Sequence, residues 1–285
     1  MEVPDGLEVI SAAAAEAPRR PGVYLFLGEA DDILYVGKAT DVRQRLRQHA
    51  AAKPSDYWLD QKYVLVRRIV WELAADEEAA FWREEELIFA LGPAHNAQRR
   101  RDGDPATARR SPYLTVIQDQ HDRLRFVLTP TLPTAGRGYG CFPHLGKGHG
   151  APLGIACSDG YTALLRLLWA ASGEGTQVPA TLARSAPDEY AVTVEPALRE
   201  PLHQFLSGAR AKLPTELLDR AANRPAFQQT GLRKDLALAR LFYRAGPQRL
   251  RERRLRHGRR AGPIDPDTLR ALIRAEITAV LDPVG

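Results

Sequence analysis

The sequence predicts an α+β fold, in which a small sheet flanked by helices comes first and a mainly helical region comes last. Two observations carry this prediction. Short apolar, aromatic and β-branched runs bounded by turn residues occupy the first quarter of the chain, and two more follow between residues 113 and 128. From Tyr161 onward the apolar residues instead repeat at helical spacing.

The composition limits what this protein can act on. The chain has 285 residues, enough for about two domains at ~150 residues each. Its 40 Lys and Arg residues outnumber its 35 Asp and Glu residues, which gives a formal charge of +5. A basic surface suits polyanions because Arg donates two parallel hydrogen bonds to phosphate. The Arg content also fits the coding bias of a GC-rich genome, so charge alone does not locate a site.

Cysteine content and hydropathy exclude several classes. Cys141 and Cys157 are too few for a disulfide framework or a four-thiolate metal site. The N-terminal residues lack the basic start and apolar core of a signal peptide, and no apolar run approaches the ~20 residues of a membrane span. We therefore expect a cytoplasmic protein with no membrane partner.

The first elements are a lead-in and a hairpin. Residues 1–20 are predicted to be an Ala-rich lead-in that is closed by prolines. Residues 22–27 and 33–36 are predicted strands joined by an acidic loop of about five residues. The hairpin therefore makes Tyr24 and Tyr35 neighbours.

A basic helix follows the hairpin. Asp41 is a predicted N-cap for a helix over residues 42–51. Asp41, Arg45 and His49 are spaced four residues apart and are predicted to share one face. The opposite, apolar face is formed by Val42, Leu46 and Ala50.

A third strand and a second helix complete the first region. Residues 62–73 are predicted to be a strand that pairs with the hairpin, and residues 76–91 a helix capped by Asp76. Glu84 falls inside the apolar stripe of this helix, where an unpaired carboxylate is costly to bury. Either Glu84 is solvated at the edge of the stripe, or it faces a cleft shared with the tyrosines and Arg45 and binds a divalent cation.

These residues together resemble a known family. Gly22-Val23-Tyr24, Tyr35-Val36-Gly37, Lys38, Arg45, Glu84 and Asn96 occur in the order and spacing of a GIY-YIG nuclease domain. Within that superfamily, Pro-Gly-Val-Tyr, Leu-Tyr-Val-Gly-Lys-Ala and Pro-Ala-His-Asn are most similar to UvrC and its short homologue Cho. Two positions depart from the pattern: Val23 replaces the middle Ile, and His49 stands where UvrC-like domains usually carry Tyr.

The resemblance implies a metal-dependent DNA endonuclease, a hydrolase of nucleotide excision repair, that makes a single incision near damaged or distorted duplex DNA. It implies one divalent ion, Mg²⁺ or Mn²⁺, on Glu84, and UvrB as a partner in a bacterial, nucleoid-associated setting. Tyr35 is preferred as the base and Tyr24 as its water-positioning partner, although the sequence does not order them. The implied catalytic residues are Tyr24, Tyr35, Lys38, Arg45, His49, Glu84 and Asn96.

The domain prediction extends the resemblance along the chain. After the lead-in come a nuclease domain over residues 21–97, a basic linker over 98–111, a small β segment over 112–160 and a helical region over 161–285. The β segment resembles the UvrC region after the nuclease domain, and residues 198–245 faintly resemble its UvrB-contacting hairpin. The four-cysteine cluster usual in UvrC is missing, so no iron–sulfur cluster and no organic cofactor is expected.

Arginines near the first domain and in two basic runs are predicted to contact the DNA backbone, since phosphate contacts supply most of the affinity for nucleic acid. The other interpretation is that the two runs are solvated segments. The predicted contacts are Arg43, Arg47, Arg99, Arg100, Arg101, Arg109, Arg110, Arg253, Arg254 and Arg256.

Two alternative functions stay open. One is a stand-alone restriction or mobile-element endonuclease directed by its own helical half. The other is a non-catalytic adaptor that binds DNA or UvrB. Retention of Tyr24, Tyr35, Arg45 and Glu84 counts against the adaptor.

Overall fold

The fold is known from a computed structural model of the chain. By its internal contacts the chain divides into two compact units, Met1–Asp104 with Arg270–Gly285, and Pro105–Leu269. The structure describes residues 6–52, 61–96, 113–132, 134–143, 155–183, 187–259 and 261–281.

The first unit contains an antiparallel sheet. Its described strands are β1 (Gly22–Leu27), β2 (Ile33–Ala39) and β3 (Arg68–Leu73), with β1 in the middle. All six residues of β1 are buried, which explains why it is a continuous apolar run rather than an alternating one. The hairpin and the α+β class predicted from the sequence are confirmed.

Two helices pack together in this unit, α1 (Gly6–Glu16) and α2 (Val42–Ala50). The Asp41 side chain accepts a hydrogen bond from the Gln44 N–H at 2.8 Å, as expected of an N-cap. Ile10 and Ala14 of α1 are 0% and 3% exposed. The N-terminal helix is thus part of the core rather than a lead-in to it.

The predicted strand over residues 62–73 is wrong in its first half. Lys62–Leu65 forms a short helix, α3, and β3 begins only at Arg68. The Val64 and Leu65 N–H groups bond to the Gln61 carbonyl, each at 3.0 Å. The physical reason is register: β1 ends at Leu27, which pairs with Arg68, so earlier residues have no strand to join.

The next helix, α4 (Glu77–Leu91), confirms its prediction to within one residue. The Asp76 side chain accepts from the Ala79 N–H at 2.7 Å. The helix ends at Gly92, whose φ of 57° lies in the left-handed region that favours glycine. Beyond it, the His95 N–H bonds to the Leu34 carbonyl at 2.9 Å and returns the chain to β2.

The last helix, α11 (Pro266–Leu281), joins the first unit from Arg270 onward. Arg83 of α4 bonds Glu72 and Glu276, both at about 3 Å, and Ile273 and Ile277 are each 1% exposed. The sequence prediction instead kept residues 161–285 together as one helical region.

The second unit contains a sheet of the order β6-β4-β5-β7 among its described residues. The predicted strand pair is confirmed as β4 (Tyr113–Gln118) and β5 (Leu124–Thr129). The edge strands are β6 (Arg137–Tyr139) and β7 (Glu189–Val192). β7 lies inside the region predicted to be helical, and it pairs with β5 across a separation of about sixty residues.

Helices make up the rest of the described second unit. Helices follow from Gly160 to Tyr243, as the apolar spacing after Tyr161 predicted, and Arg249–Arg256, for which no helix was predicted, is helical too. None of the described helices is both long and apolar enough to cross a membrane. The helices are α5 (Gly160–Ser172), α6 (Ala180–Ala183), α7 (Pro196–Leu206), α8 (Leu213–Arg220), α9 (Ala226–Tyr243) and α10 (Arg249–Arg256).

Two of these helices, α5 and α9, pack closely. A side chain at Gly160 would meet the Leu238 carbonyl at 2.6 Å. The Arg166 guanidinium bonds Asp235, whose side chain is 9% exposed. The residues predicted to form a hairpin over 198–245 therefore also pack against a helix outside that range.

Candidate active site

The two central tyrosines lie on adjacent strands. Tyr24 of β1 pairs with Gly37 of β2, and its ring centroid is 6.1 Å from that of Tyr35. A side chain at position 37 would meet the Tyr24 hydroxyl oxygen at 2.4 Å, so only glycine lets the β2 backbone lie over this phenol. Tyr24 is fully buried, whereas Tyr35 is only partly buried.

His49 lies behind Tyr24. Its Nε2 is 2.8 Å from the Tyr24 hydroxyl, and the His49 side chain is buried with Val42 and Leu46 on the inner face of α2. Arg45, one turn earlier, is exposed but reaches the Tyr24 hydroxyl. Arg45 and His49 were predicted to share one face of α2, but Arg45 lies at the surface and His49 lies in the core.

Burial raises the pKa of Tyr24 well above the ordinary value for a phenol, and the neighbouring Tyr35 raises it further. The Arg45 guanidinium acts in the opposite direction but does not reverse the shift. Tyr24 therefore keeps its proton at neutral pH.

Glu84 projects from α4 toward β2. Its Oε1 accepts a hydrogen bond from the backbone N–H of Lys38 at 3.0 Å. Burial raises the pKa of Glu84, while the bond from Lys38 and the charges of Lys38 and Arg45 partly offset that rise. Glu84 is partly buried, so the interpretation as a fully solvated edge residue is not supported. Glu84 and the two tyrosines therefore lie close to one shared cation, Arg45.

Asn96 holds the β2 edge in place. Its Oδ1 accepts from the Val36 N–H at 3.0 Å, and its Nδ2 donates to the Val36 carbonyl at 2.8 Å. Val36 stands between Tyr35 and Gly37. Asn96 thus positions the strand that carries Tyr35.

Two residues of the cluster were not predicted. The Tyr63 hydroxyl is 3.0 Å from His49 Nδ1, and the Lys62 ammonium lies 4.7 Å from the ring centroids of both Tyr35 and Tyr63. Both residues fall where the sequence indicated a strand. The sequence shows that Lys62 and Tyr63 are adjacent, but it does not show that Lys62 is buried, so no sequence signal singled them out.

A divalent cation fits the acidic donor of this site. Within the described ranges, no group of three or more His, Cys, Asp or Glu side chains is positioned to hold a metal. Glu84 Oε2 has no hydrogen-bond partner among those residues. A single carboxylate suits Mg²⁺, which keeps several waters and binds through one or two carboxylates together with phosphate oxygens.

The predicted DNA contacts differ in their exposure and in the hydrogen bonds that they already make. Arg47 and Arg256 are exposed, and Arg43 is partly buried and donates to the Ala17 carbonyl. Arg254 donates to the Ser207 and Gly262 carbonyls, and Arg253 is 5% exposed. Arg253 is therefore a correction: a buried guanidinium cannot reach a phosphate. The predictions that lie outside the described residues are Arg99, Arg100, Arg101, Arg109 and Arg110.

Part of the chain is similar to known proteins. The family model for a UvrC-like GIY-YIG domain matches residues 20–97. The UvrABC system protein C of Rhodopseudomonas palustris is 34% identical over 125 residues, which cover 41% of this chain and 17% of that protein. The Excinuclease cho of Escherichia coli K12 is 39% identical over 88 residues, which cover 30% of this chain and 28% of that protein.

Among solved structures, the chain is similar to the GIY-YIG N-terminal endonuclease domain of UvrC from Thermotoga maritima, described as bound to its catalytic divalent cation, magnesium. The identity is 26%, the TM-score is 0.28, and the match covers 31% of this chain and 96% of that one. The chain spans less than a third of the length of these two curated relatives. The similarity to a UvrC-like GIY-YIG domain is thus assigned to residues 20–97 of this chain.

Proposed function

We propose that this protein is a metal-dependent DNA endonuclease that makes a single incision near damaged or distorted DNA in nucleotide excision repair. One observation carries the proposal: Tyr24, Tyr35, Arg45 and Glu84 converge, with Lys38, inside a UvrC-like GIY-YIG domain. The names of the bacterial relatives support DNA repair as the setting.

The proton of the attacking water goes to Tyr35, and the phenol proton that Tyr35 gives up passes to its hydrogen-bond partner Tyr24 and from there to His49. Of the two phenols, Tyr35 is the one that reaches the surface, whereas Tyr24 is fully buried behind it. Tyr24 hydrogen-bonds His49 on its other side, so it links the base to an imidazole whose ordinary pKa lies near neutrality. This refines the expected role of Tyr24 from positioning water to positioning Tyr35.

The charge that develops on the phosphate is balanced by cations. Arg45 is exposed and borders both tyrosines and Glu84, so its guanidinium can donate to phosphate oxygens in the transition state. The Lys38 ammonium lies 5.4 Å from the Phe81 ring centroid, at the same edge of β2.

Glu84 would hold the divalent cation, Mg²⁺ or Mn²⁺, through its carboxylate. Without the cation, burial makes ionisation of this carboxylate unfavourable. When bound, the cation would supply Lewis acidity at the scissile phosphate and the leaving 3′ oxygen. The backbone N–H of Lys38 fixes the carboxylate by holding Oε1.

The direct test is nicking of an end-labelled, lesion-bearing duplex with Mg²⁺ or Mn²⁺. We expect Glu84→Gln and Arg45→Ala to slow incision by about 10²–10³-fold, as removal of comparable charge-stabilising groups does. DNA affinity should change little. Glu77→Gln is the matched control, because Glu77 is an exposed residue of the same helix. A wild-type chain that cuts no DNA with any divalent ion would overturn the proposal.

The same assay, run with and without UvrA and UvrB, tests the partner. Incision that requires UvrB supports the excision-repair function in full. Incision without UvrB and with a sequence preference would favour the restriction or mobile-element alternative. Tight binding to DNA or UvrB without incision would favour the adaptor.

A further inference from the structure

Two residues of α4, Phe81 and Glu84, contact opposite ends of Lys38. Glu84 Oε1 accepts the hydrogen bond from the backbone N–H of Lys38 at 3.0 Å. The Lys38 ammonium lies over the ring of Phe81, 5.4 Å from its centroid, and a ring face attracts a cation within ~6 Å. Because Phe81 and Glu84 are three residues apart, they are neighbours on the helix surface. The helix therefore contacts Lys38 at both its backbone and its charge.

Charge alone would place this ammonium elsewhere. Glu84 offers a carboxylate nearby, and the charge of Lys38 lowers the pKa of Glu84 against the larger, opposite effect of burial. Among the described residues, however, Lys38 forms no ion pair with that carboxylate and has the contact with Phe81 instead. A partly exposed ion pair and a cation–π contact are similar in strength, so the ring can compete with the carboxylate for the ammonium.

We propose that Phe81 is a positioning residue that holds the Lys38 ammonium away from Glu84, which leaves Oε2 of that carboxylate open to a divalent cation. The inference rests on the proposed function, because that function assigns the cation to Glu84. An ammonium paired with Glu84 would have to be displaced before a cation could bind. It would also use N–H donors that are needed for phosphate oxygens. Position 81 is not part of the GIY-YIG pattern quoted above.

Packing is the other role that this ring has. The ring centroids of Phe81 and Trp82 are 4.8 Å apart, and Phe81 is partly buried, so a smaller side chain would also loosen the surface of α4. The two roles differ in one respect: only positioning depends on the presence of Lys38. Variants of Phe81 with and without that ammonium therefore separate them.

The test is a double-mutant cycle on Mn²⁺ affinity, measured by electron paramagnetic resonance of the full-length protein without DNA. The Glu84 site is identified by its loss in Glu84→Gln. We expect Phe81→Leu to weaken Mn²⁺ binding at this site by about 2- to 5-fold, which corresponds to breaking an exposed ion pair. In a Lys38→Met background, Phe81→Leu should leave the affinity unchanged, because no ammonium remains to pair with Glu84. Phe81→Tyr keeps the ring face and should bind Mn²⁺ as wild type does.

Phe89→Leu is the matched control. Phe89 is a partly buried residue of the same helix, and its ring centroid lies 4.7 Å from a different cation, the guanidinium of Arg270. The variant loses a ring and a cation–π contact, as Phe81→Leu does, but not the contact with Lys38. Its Mn²⁺ affinity should equal that of wild type.

A second measurement uses metal-free wild type. The ring current of Phe81 should shift the ε-proton NMR signals of Lys38 upfield, with those signals assigned by comparison with Lys38→Met. This spectrum decides alone if Phe81→Leu fails to fold.

Four results would overturn the inference: unshifted Lys38 signals, an unchanged Mn²⁺ affinity in Phe81→Leu, an equal loss with and without Lys38, or an equal loss in Phe89→Leu. The proposed function fails separately. A wild-type chain whose Mn²⁺ affinity depends on Phe81 as expected, but which cuts no DNA, would sink that function and support the inference.

Discussion

At the scale of single residues, Glu84 combines a proposed role as metal ligand with an unfavourable environment. Burial raises its pKa in the folded protein. A group whose pKa rises on folding contributes stability below its unfolded pKa, and that contribution is lost as the pH rises through the folded value. The ionised carboxylate therefore destabilises the metal-free protein at neutral pH.

We predict that Glu84→Gln is more stable than wild type in EDTA at pH 7.5 and that the difference shrinks by pH 4. Urea unfolding at the two pH values measures it. Adding Mg²⁺ should raise the melting temperature of wild type but not of Glu84→Gln, because a ligand stabilises only the form that binds it. Equal stabilisation of both proteins by Mg²⁺ would place the cation elsewhere.

Asn96 offers a second residue-scale prediction. It satisfies both backbone polar groups of Val36 and is itself 7% exposed. Asn96→Ala should cost about 2–6 kcal/mol of unfolding free energy, since it leaves two backbone polar groups unsatisfied at ~1–3 kcal/mol each. Urea unfolding tests this. Asn96→Asp keeps the acceptor for the Val36 N–H but sets a buried carboxylate oxygen against the Val36 carbonyl, so it should cost at least as much as Asn96→Ala. A cost below 1 kcal/mol in Asn96→Ala would show that β2 does not depend on this clamp.

At the scale of secondary-structure elements, Arg83 connects three of them. Its side chain is 11% exposed and bonds Glu72 of β3 and Glu276 of α11. Its Nη1 also lies 3.7 Å from the carboxylate of Glu86 in its own helix. A buried cation among carboxylates holds these elements in one arrangement, because removing it leaves buried negative charges unpaired.

Arg83→Met should therefore destabilise the first unit by about 3–5 kcal/mol, the range found when one partner of a buried ion pair is removed. Arg125→Met is the control, because the Arg125–Glu189 pair is exposed and exposed pairs contribute about 0–1 kcal/mol. Unfolding in urea, followed by fluorescence, compares the two variants. Similar losses of unfolding free energy in the two variants would show that the Arg83 network contributes no more than an exposed ion pair.

Elements also show where sequence patterns fail. The helices capped by Asp41 and Asp76 were predicted closely because capping and apolar spacing are local signals. Residues 62–65 carry β-forming side chains and still form a helical turn, because strand pairing depends on where the partner strand ends. For the same reason β7 was not predicted, since it pairs with β5, about sixty residues earlier in the chain.

At the scale of the whole molecule, the two ends of the chain belong to one unit. The first unit gathers Met1–Asp104 and Arg270–Gly285, so α4 is supported by a helix that is distant in sequence: Arg83 and Glu276 are 193 residues apart. Two of its residues, Ile273 and Ile277, are almost completely buried.

We predict that a chain ending at Leu269 loses stability in its first unit and loses incision with it. Full burial of an isoleucine contributes ~1.5–3 kcal/mol, so Ile273 and Ile277 alone account for about 3–6 kcal/mol. Urea unfolding followed by limited proteolysis measures which unit opens. The full-length double variant Ile273→Ala, Ile277→Ala separates lost packing from lost length. A truncated chain as stable as wild type would contradict this role of α11.

By itself, the sequence determined the α+β class, the tyrosine hairpin, the two capped helices and the presence of Arg45, Glu84 and Asn96 at recognisable spacing. These follow from local periodicity, caps and a motif whose residues lie within eighty positions. Only the tertiary structure decided that His49 faces inward to Tyr24, that Tyr63 and Lys62 complete its surroundings, and that α11 packs behind α4. Those contacts join residues that are brought together by packing across the fold, and no local pattern in the sequence shows which distant residues will meet.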